Sequence, residues 1–358
     1  MAYTDIDKPS DYFTTKLYSG NGGTQSITGL DFAPNWVWTK GRSGTYSAES
    51  HKLYDTVRGT TKELRSDVSN AESTNSTGVT SFNSDGYALG ADGGMNGSST
   101  TYVSWNWKAG TSVSGNTTGS GTAKSYSGSV NTDAGFSIIK YIGNDNASQT
   151  VPHHLGATPS MVIVKNLDAT VDGWMVYHTG LTSGKNIVLN STDVPYNATA
   201  SGYQKGINGI PTSTNLTFVS GYASQQNVNG NNVNYIGYCF AEKTGYSKFG
   251  SYTGNGNADG TFVYTGFKPA FMLVKKTSGT KNWYLWDGKR ASINDGSDPQ
   301  LYANLSNAED SGAYFDILSN GFKNRNSGVG NDSGGTYIYM AFAESPFVTS
   351  SGIPTTGR

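Results

Sequence analysis

Carboxylates, imidazoles and one Asn/Asp-rich loop are the groups in this chain that could do chemistry. Glycoside hydrolysis on a β-sandwich needs two carboxylates about 5–10 Å apart, often alternating along one strand so that both enter the cleft. No Glu-x-Asp-x-x-Glu run exists: Glu49, Glu63 and Glu72 share one polar stretch, and Glu309-Asp310 sit in a loop. Glu242 and Glu344 occupy matching strand ends, but the third such position is Ala109, so they read as solvated turn residues. His153 and His154 are adjacent and point opposite ways on an extended segment, while His51 and His178 belong to separate strands. Asn255-Gly-Asn257-Ala-Asp259-Gly260 imitates the start of a calcium loop, yet Gly266 stands where the bidentate carboxylate is needed. It reads as a turn. With no Gly-x-Ser-x-Gly elbow, phosphate loop or dinucleotide fingerprint, no catalytic residue, metal ligand or cofactor is assigned.

Binding is the chemistry that remains. Trp or Tyr at a strand end can stack on a sugar face while amides and backbone groups take its hydroxyls. Trp36, Trp174 and Trp283 lie near strand starts, and Lys40, Lys165 and Lys275 end apolar strands, so these six are the ligand-binding candidates. Each has a competing reading as a packing residue: the tryptophans in the core, the lysines covering an apolar rim with their stems. Cys239 reads as a small buried filler.

The elements that must position these residues come in three copies. Tyr18-Ser-Gly20-Asn21 leads to Phe32-Ala-Pro34, Tyr141-Ile-Gly143-Asn144 to Ala157-Thr-Pro159, and Tyr252-Thr-Gly254-Asn255 to Phe267-Lys-Pro269. A strand ending in Lys follows each Pro, then a strand at His51–Asp55, Trp174–His178 or Trp283–Asp287, and the copy closes on Tyr102–Trp107, Tyr235–Phe240 or Tyr337–Phe342. Alternation places Val103/Ile236/Ile338, Trp105/Tyr238/Met340 and Trp107/Phe240/Phe342 on one face, which is core. The strand after each Pro is apolar on both faces and so is central. Agreement in motif, order and spacing marks an internal repeat.

Composition fits short strands joined by tight turns: 47 Gly beside 23 Tyr, 14 Phe and 7 Trp. No stretch reads as a long amphipathic helix; Thr61 to Ala71 is the best candidate, as a short surface helix or an irregular loop. The expectation is an all-β chain of three tandem β-sandwich modules. Boundaries are an N-terminal arm at 1–16, modules at 17–110, 134–243 and 244–347, a Gly/Ser/Thr-rich linker at 111–133 that lets the first module move, and a flexible tail at 348–358. A net charge of −1 with 14% charged residues argues against nucleic acid. One cysteine excludes an intrachain disulfide, and neither an export signal nor a membrane-spanning run is expected.

Lys8-Pro-Ser-Asp-Tyr-Phe, Leu17-Tyr-Ser-Gly-Asn-Gly, Phe32-Ala-Pro-Asn-Trp-Val-Trp-Thr-Lys, His51-Lys-Leu-Tyr-Asp-Thr-Val-Arg-Gly, Thr80-Ser-Phe-Asn-Ser-Asp-Gly-Tyr-Ala-Leu-Gly and Tyr102-Val-Ser-Trp-Asn-Trp-Lys-Ala-Gly together resemble structural proteins of tailed, especially marine, bacteriophages. The resemblance implies that the modules are sandwiches of jelly-roll or concanavalin type in a non-enzymatic virion protein, assembled in the host cytoplasm and exposed on the particle as a tail fibre, tail-tip or head-decoration component. Its implied partners are other virion proteins and a host surface polysaccharide, with homo-oligomerisation as in a fibre trimer. A purely structural capsid decoration and a polysaccharide depolymerase are the alternatives.

Overall fold

A computed structural model describes residues 3–200, 205–219, 228–291 and 296–355. Almost all the regular structure among them is antiparallel β; the helical segments are the 3₁₀ turn Pro9–Asp11 and the one-turn helix Gly93–Asn96.

Three large sheets use one order of corresponding strands. The first runs Phe13–Ser19, Thr100–Trp107, Trp36–Gly44, Lys52–Asp55. Within the second the same order is Phe136–Ile142, Asn234–Phe240, Met161–Asn166, Met175–His178. In the third it is Ser247–Thr253, Thr336–Pro346, Phe267–Lys276, Trp283–Asp287. Pro269 lies inside its strand because the pairing register shifts on both sides of it, where a ladder donor is not needed.

Register brings the repeated tyrosines together. Tyr18 pairs with Tyr102, Tyr141 with Tyr235 and Tyr252 with Tyr337. Their rings stack at 5.2, 5.2 and 5.0 Å. One buried Asn per copy then fixes the Gly-Asn turn: the side-chain oxygens of Asn96, Asn229 and Asn331 accept the backbone N–H of Asn21, Asn144 and Asn255 at 3.0, 3.1 and 3.0 Å. The calcium-like loop is therefore braced by an amide: Asn331 Nδ2 donates to Asn255 Oδ1 and the Asn257 carbonyl.

Each large sheet has two apolar faces because it is covered twice. One face lies under a three-stranded sheet of its own, formed by Gln25–Thr28, Gly86–Leu89 and Val79–Asn83 in the first case. Tyr54, Val37 and Tyr87 fill that layer, Tyr141, Val162 and Phe218 its counterpart in the second, and Met272, Trp286 and Phe322 in the third. The other faces of all three large sheets meet in one common core. Trp107, Phe240 and Phe342 hold corresponding positions on the closing strands, and their ring centroids form a triangle of 6.5, 5.7 and 6.0 Å. The alternating face read as core is therefore buried between sheets. Aromatic pairs of this kind add about 0.5–1.5 kcal/mol each beyond area burial.

The expected linker is structured. Thr111–Asn116 and Ser125–Asn131 extend the second large sheet, and Thr118–Gly119 joins its small sheet. Small polar residues suit Thr111–Asn116, the edge strand, which stays largely exposed and supplies no apolar signal. The first large sheet, packed into the common core, is not free to move. The arm is bound as well: strand structure begins at Phe13, whose ring stacks on Phe342 at 5.2 Å, and Asp5 N donates to the Thr244 carbonyl at 2.9 Å. Gly245 at φ 77° allows that approach, since a Cβ there would lie 2.0 Å from Thr4 Oγ1. From the tail, Ser350 N donates to Asp7 at 2.6 Å; residues 356–358 lie outside the described ones. The helical candidate at 61–71 instead holds the two-residue strand Lys62–Glu63 followed by turns.

Candidate functional site

All six binding candidates are closed to solvent: Trp36, Trp174, Lys40, Lys165 and Lys275 are 0% exposed and Trp283 1%. None presents a face to a sugar. Trp36 stacks on Tyr238 of the second large sheet at 4.4 Å. The lysines satisfy backbone carbonyls, and two of them reach a neighbouring sheet to do so. Lys165 Nζ donates to Ser69, Asn166 and Asp172, each at 2.9 Å; Lys275 Nζ donates to Thr192, Lys276 and Lys281 at 3.0, 3.0 and 2.8 Å. Lys40 Nζ takes Gly41 and Ser47 within its own hairpin. Burial lowers all three ammonium groups to about 8.

Trp174 and Trp283 belong to a set completed by His51, which starts the corresponding strand. Trp174 Nε1 donates to the Arg65 carbonyl at 2.8 Å and Trp283 Nε1 to Val188 at 2.9 Å, while His51 Nε2 meets Tyr302 O at 2.9 Å. Since His51 Nδ1 accepts from Trp38 Nε1 at 2.8 Å, its Nε2 carries the proton. Arg65, Val188 and Tyr302 are themselves equivalent, each following the residue that pairs with Leu53, Val176 or Leu285. The contacts run second sheet to first, third to second and first to third, which closes a ring.

A second set closes the ring at the other end of the same strands. Tyr238 Oη donates to Asp55 Oδ2 at 2.7 Å and Trp105 Nε1 to Asp287 Oδ2 at 3.0 Å. Each acid also binds the Arg three residues on, Asp55 with Arg58 and Asp287 with Arg290, at 2.6 Å. The third equivalent of Tyr238 and Trp105 is Met340, which has no donor. There the acid is replaced by His178, whose Nε2 donates to the Tyr339 carbonyl at 3.0 Å while Nδ1 accepts from Gly180 N at 2.9 Å. The Arg is replaced by Leu181.

The other groups singled out are engaged in the fold. Burial pushes the Cys239 thiol up to about 12, which makes it a poor nucleophile. His153 is buried, Nδ1 accepting from Leu155 N and Nε2 facing the Thr212 carbonyl, and His154 bonds Tyr126 Oη. Glu242 and Glu344 pair with Lys248 and Lys268. Among the described residues, no three His, Cys, Asp or Glu side chains group as a metal site.

Among the described residues, one concavity lies between the second and third large sheets. It has a volume of about 650 Å³. Leu181, Val194 and Pro195 form one side and Thr277, Ser278 and Thr336 the other, and among the described residues Lys185 is the one charged side chain lining it. Thr277 Oγ1 and Thr336 Oγ1 lie 2.9 Å apart, and Ser278 Oγ accepts from Thr336 N at 3.0 Å. None of these residues was singled out from sequence. The available signal was His178-Thr-Gly-Leu181, where the other two copies read Asp-x-x-Arg.

No curated protein matches the chain, and no solved structure does. One family model, described as a domain of unknown function (DUF7483), matches residues 8–346. Spanning nearly the whole length, that match places the chain in the DUF7483 family.

Proposed function

We propose that the chain is a non-enzymatic structural protein of the tailed-bacteriophage virion, built of three tandem β-sandwich modules and displayed on the particle, as a tail-associated protein, to host surface polysaccharide. The observation that carries the reading is the use made of the repeated polar side chains. Lys165 and Lys275, Trp174 and Trp283, Asp55 and Asp287, and His51 all bind groups of a neighbouring sheet or turn, so closing the ring accounts for their recurrence along the chain. A closed ring without disulfides suits a part that must stay rigid outside the cell after folding in a reducing cytoplasm. The outward loops and sheet junctions are left for contact. Other virion proteins are its proposed partners, and assembly into a homotrimer remains part of the reading.

Immunogold electron microscopy of intact virions, with antibody raised against residues 244–347, tests it. Label confined to the tail is expected. Label over the whole head would replace host recognition by decoration, and particles without label would refute a virion role.

A further inference from the structure

The ring is complete at two junctions and altered at the third. Strand register makes Glu72, Pro195 and Glu309 equivalent, each standing one residue before the partner of Glu63, Asn186 or Gln300. Arg58, Leu181 and Arg290 are equivalent by their place three residues after Asp55, His178 and Asp287. At the junction of the first and second sheets Arg58 Nη1 lies 3.2 Å from Glu72 Oε2, and where the third meets the first Arg290 Nη1 lies 3.1 Å from Glu309 Oε2. Both guanidinium groups are fully buried. Where the second meets the third, the pair is Leu181 and Pro195, and both line the 650 Å³ groove.

Main-chain bonding changes at the same place. Glu72 N donates to the Leu167 carbonyl at 2.9 Å and Glu309 N to Arg42 at 3.0 Å, each joining neighbouring sheets. Leu167, Arg42 and Thr277 stand two residues beyond Lys165, Lys40 and Lys275. Pro195 has no N–H with which to make the third bond to Thr277. A packed ion pair and a backbone bond are thus both replaced by shorter apolar groups, and the volume they would fill is open to solvent.

We propose that this groove is a binding site for a neutral saccharide segment. The assignment rests on the glycan-recognition reading above and gives it a place. Leu181, Val194 and Pro195 offer an apolar wall for a sugar's C–H face, with Val194 46% exposed. Opposite them, Thr277, Ser278 and Thr336 hold one another in place, and every hydroxyl combines one donor with two acceptor lone pairs. Hydroxyls that both give and accept match a polyol; a wall whose described residues carry one charge, Lys185, neither selects a polyanion strongly nor needs a counterion. The volume falls within the roughly 300–1,000 Å³ of small-ligand sites.

The test copies the other two junctions. The full-length protein and a Leu181→Arg, Pro195→Glu double variant are titrated, by saturation-transfer NMR and calorimetry, with maltohexaose, cellohexaose, chitohexaose and mannohexaose. A second variant, Thr277→Trp, fills the groove from the other wall, and a melting scan shows which variants are folded. At least one sugar should bind, and each folded filled variant should lose at least about tenfold in affinity. Unchanged affinity in a folded filled variant overturns the site and leaves glycan recognition elsewhere on the protein standing. Absence of binding by all four sugars overturns the ligand assignment, while the virion role is decided separately by the labelling experiment.

Discussion

Tyr238→Phe removes one hydrogen bond between the first and second sheets and keeps the ring that stacks on Trp36. The hydroxyl donates at 2.7 Å to Asp55 Oδ2, an oxygen that also holds Arg58 Nε at 2.6 Å, with the Asp55 and Arg58 side chains sealed from solvent. A hydrogen bond to a buried charged acceptor contributes about 1.5–3 kcal/mol, so the substitution should destabilise by about 2 kcal/mol. Asp55→Asn leaves Arg58 with Glu72, 3.2 Å away, as its remaining acid and should cost about 3–5 kcal/mol. In the double variant the hydroxyl has no anion to lose, so the two effects should fall short of additivity by about 1–2 kcal/mol. Urea unfolding followed by tryptophan fluorescence on the four proteins at neutral pH measures this. Tyr264→Phe, at a ring 59% exposed, is the control and should stay within about 0.5 kcal/mol of wild type. Additivity within about 0.3 kcal/mol for Tyr238 and Asp55 would refute a direct contact between the sheets.

Acid should unfold the protein through its histidines. Burial lowers His153 and His178 to about 4 and holds His51 well below the usual imidazole range; each Nδ1 faces a donor, so protonation there breaks a bond. The unfolded chain takes up these protons from about pH 6.5, so the histidines' contribution to stability is full above that value, falls by about 1.4 kcal/mol per pH unit per histidine, and levels off for His178 near its folded value. Removing His178 with His178→Gln should lessen the slope between those limits by one proton, read from urea midpoints across pH. Phe240→Ala, at one corner of the aromatic triangle, should cost about 3–5 kcal/mol in the same assay. Asn331→Ala should cost about 2–4 kcal/mol by freeing the Asn255 turn, and millimolar calcium should leave the melting temperature of wild type unchanged, since an amide holds that loop.

Period-two patterning made the strands and their inner faces legible, because the same alternation recurs in the three copies. It could not show what each face packs against. Trp105, Tyr238 and Met340 read equally well as the core of separate sandwiches or of one shared core, and the partners Asp55 and Asp287 lie 183 and 182 residues away from the donors they bind. The lysines misled for the same reason: an ammonium at a strand end reads as solvated unless the carbonyls of Ser69 and Thr192 are known to arrive from a neighbouring sheet. Strands at 111–131 were hidden by Ser, Thr and Gly, which signal flexibility in sequence but pair well through their backbones. Of the groove residues, Leu181 is legible once the three copies are aligned, since Arg stands there elsewhere, whereas Pro195 is matched to Glu72 and Glu309 only through strand register.

That three large sheets close around one core is the claim on which the rest depends, and differential scanning calorimetry of the full chain tests it most directly. Burial of the three inner faces against one another predicts a single transition with calorimetric and van't Hoff enthalpies equal. Two or three resolved transitions, or a calorimetric enthalpy two to three times the van't Hoff value, would mean that the sheets unfold as separate units and would contradict the account.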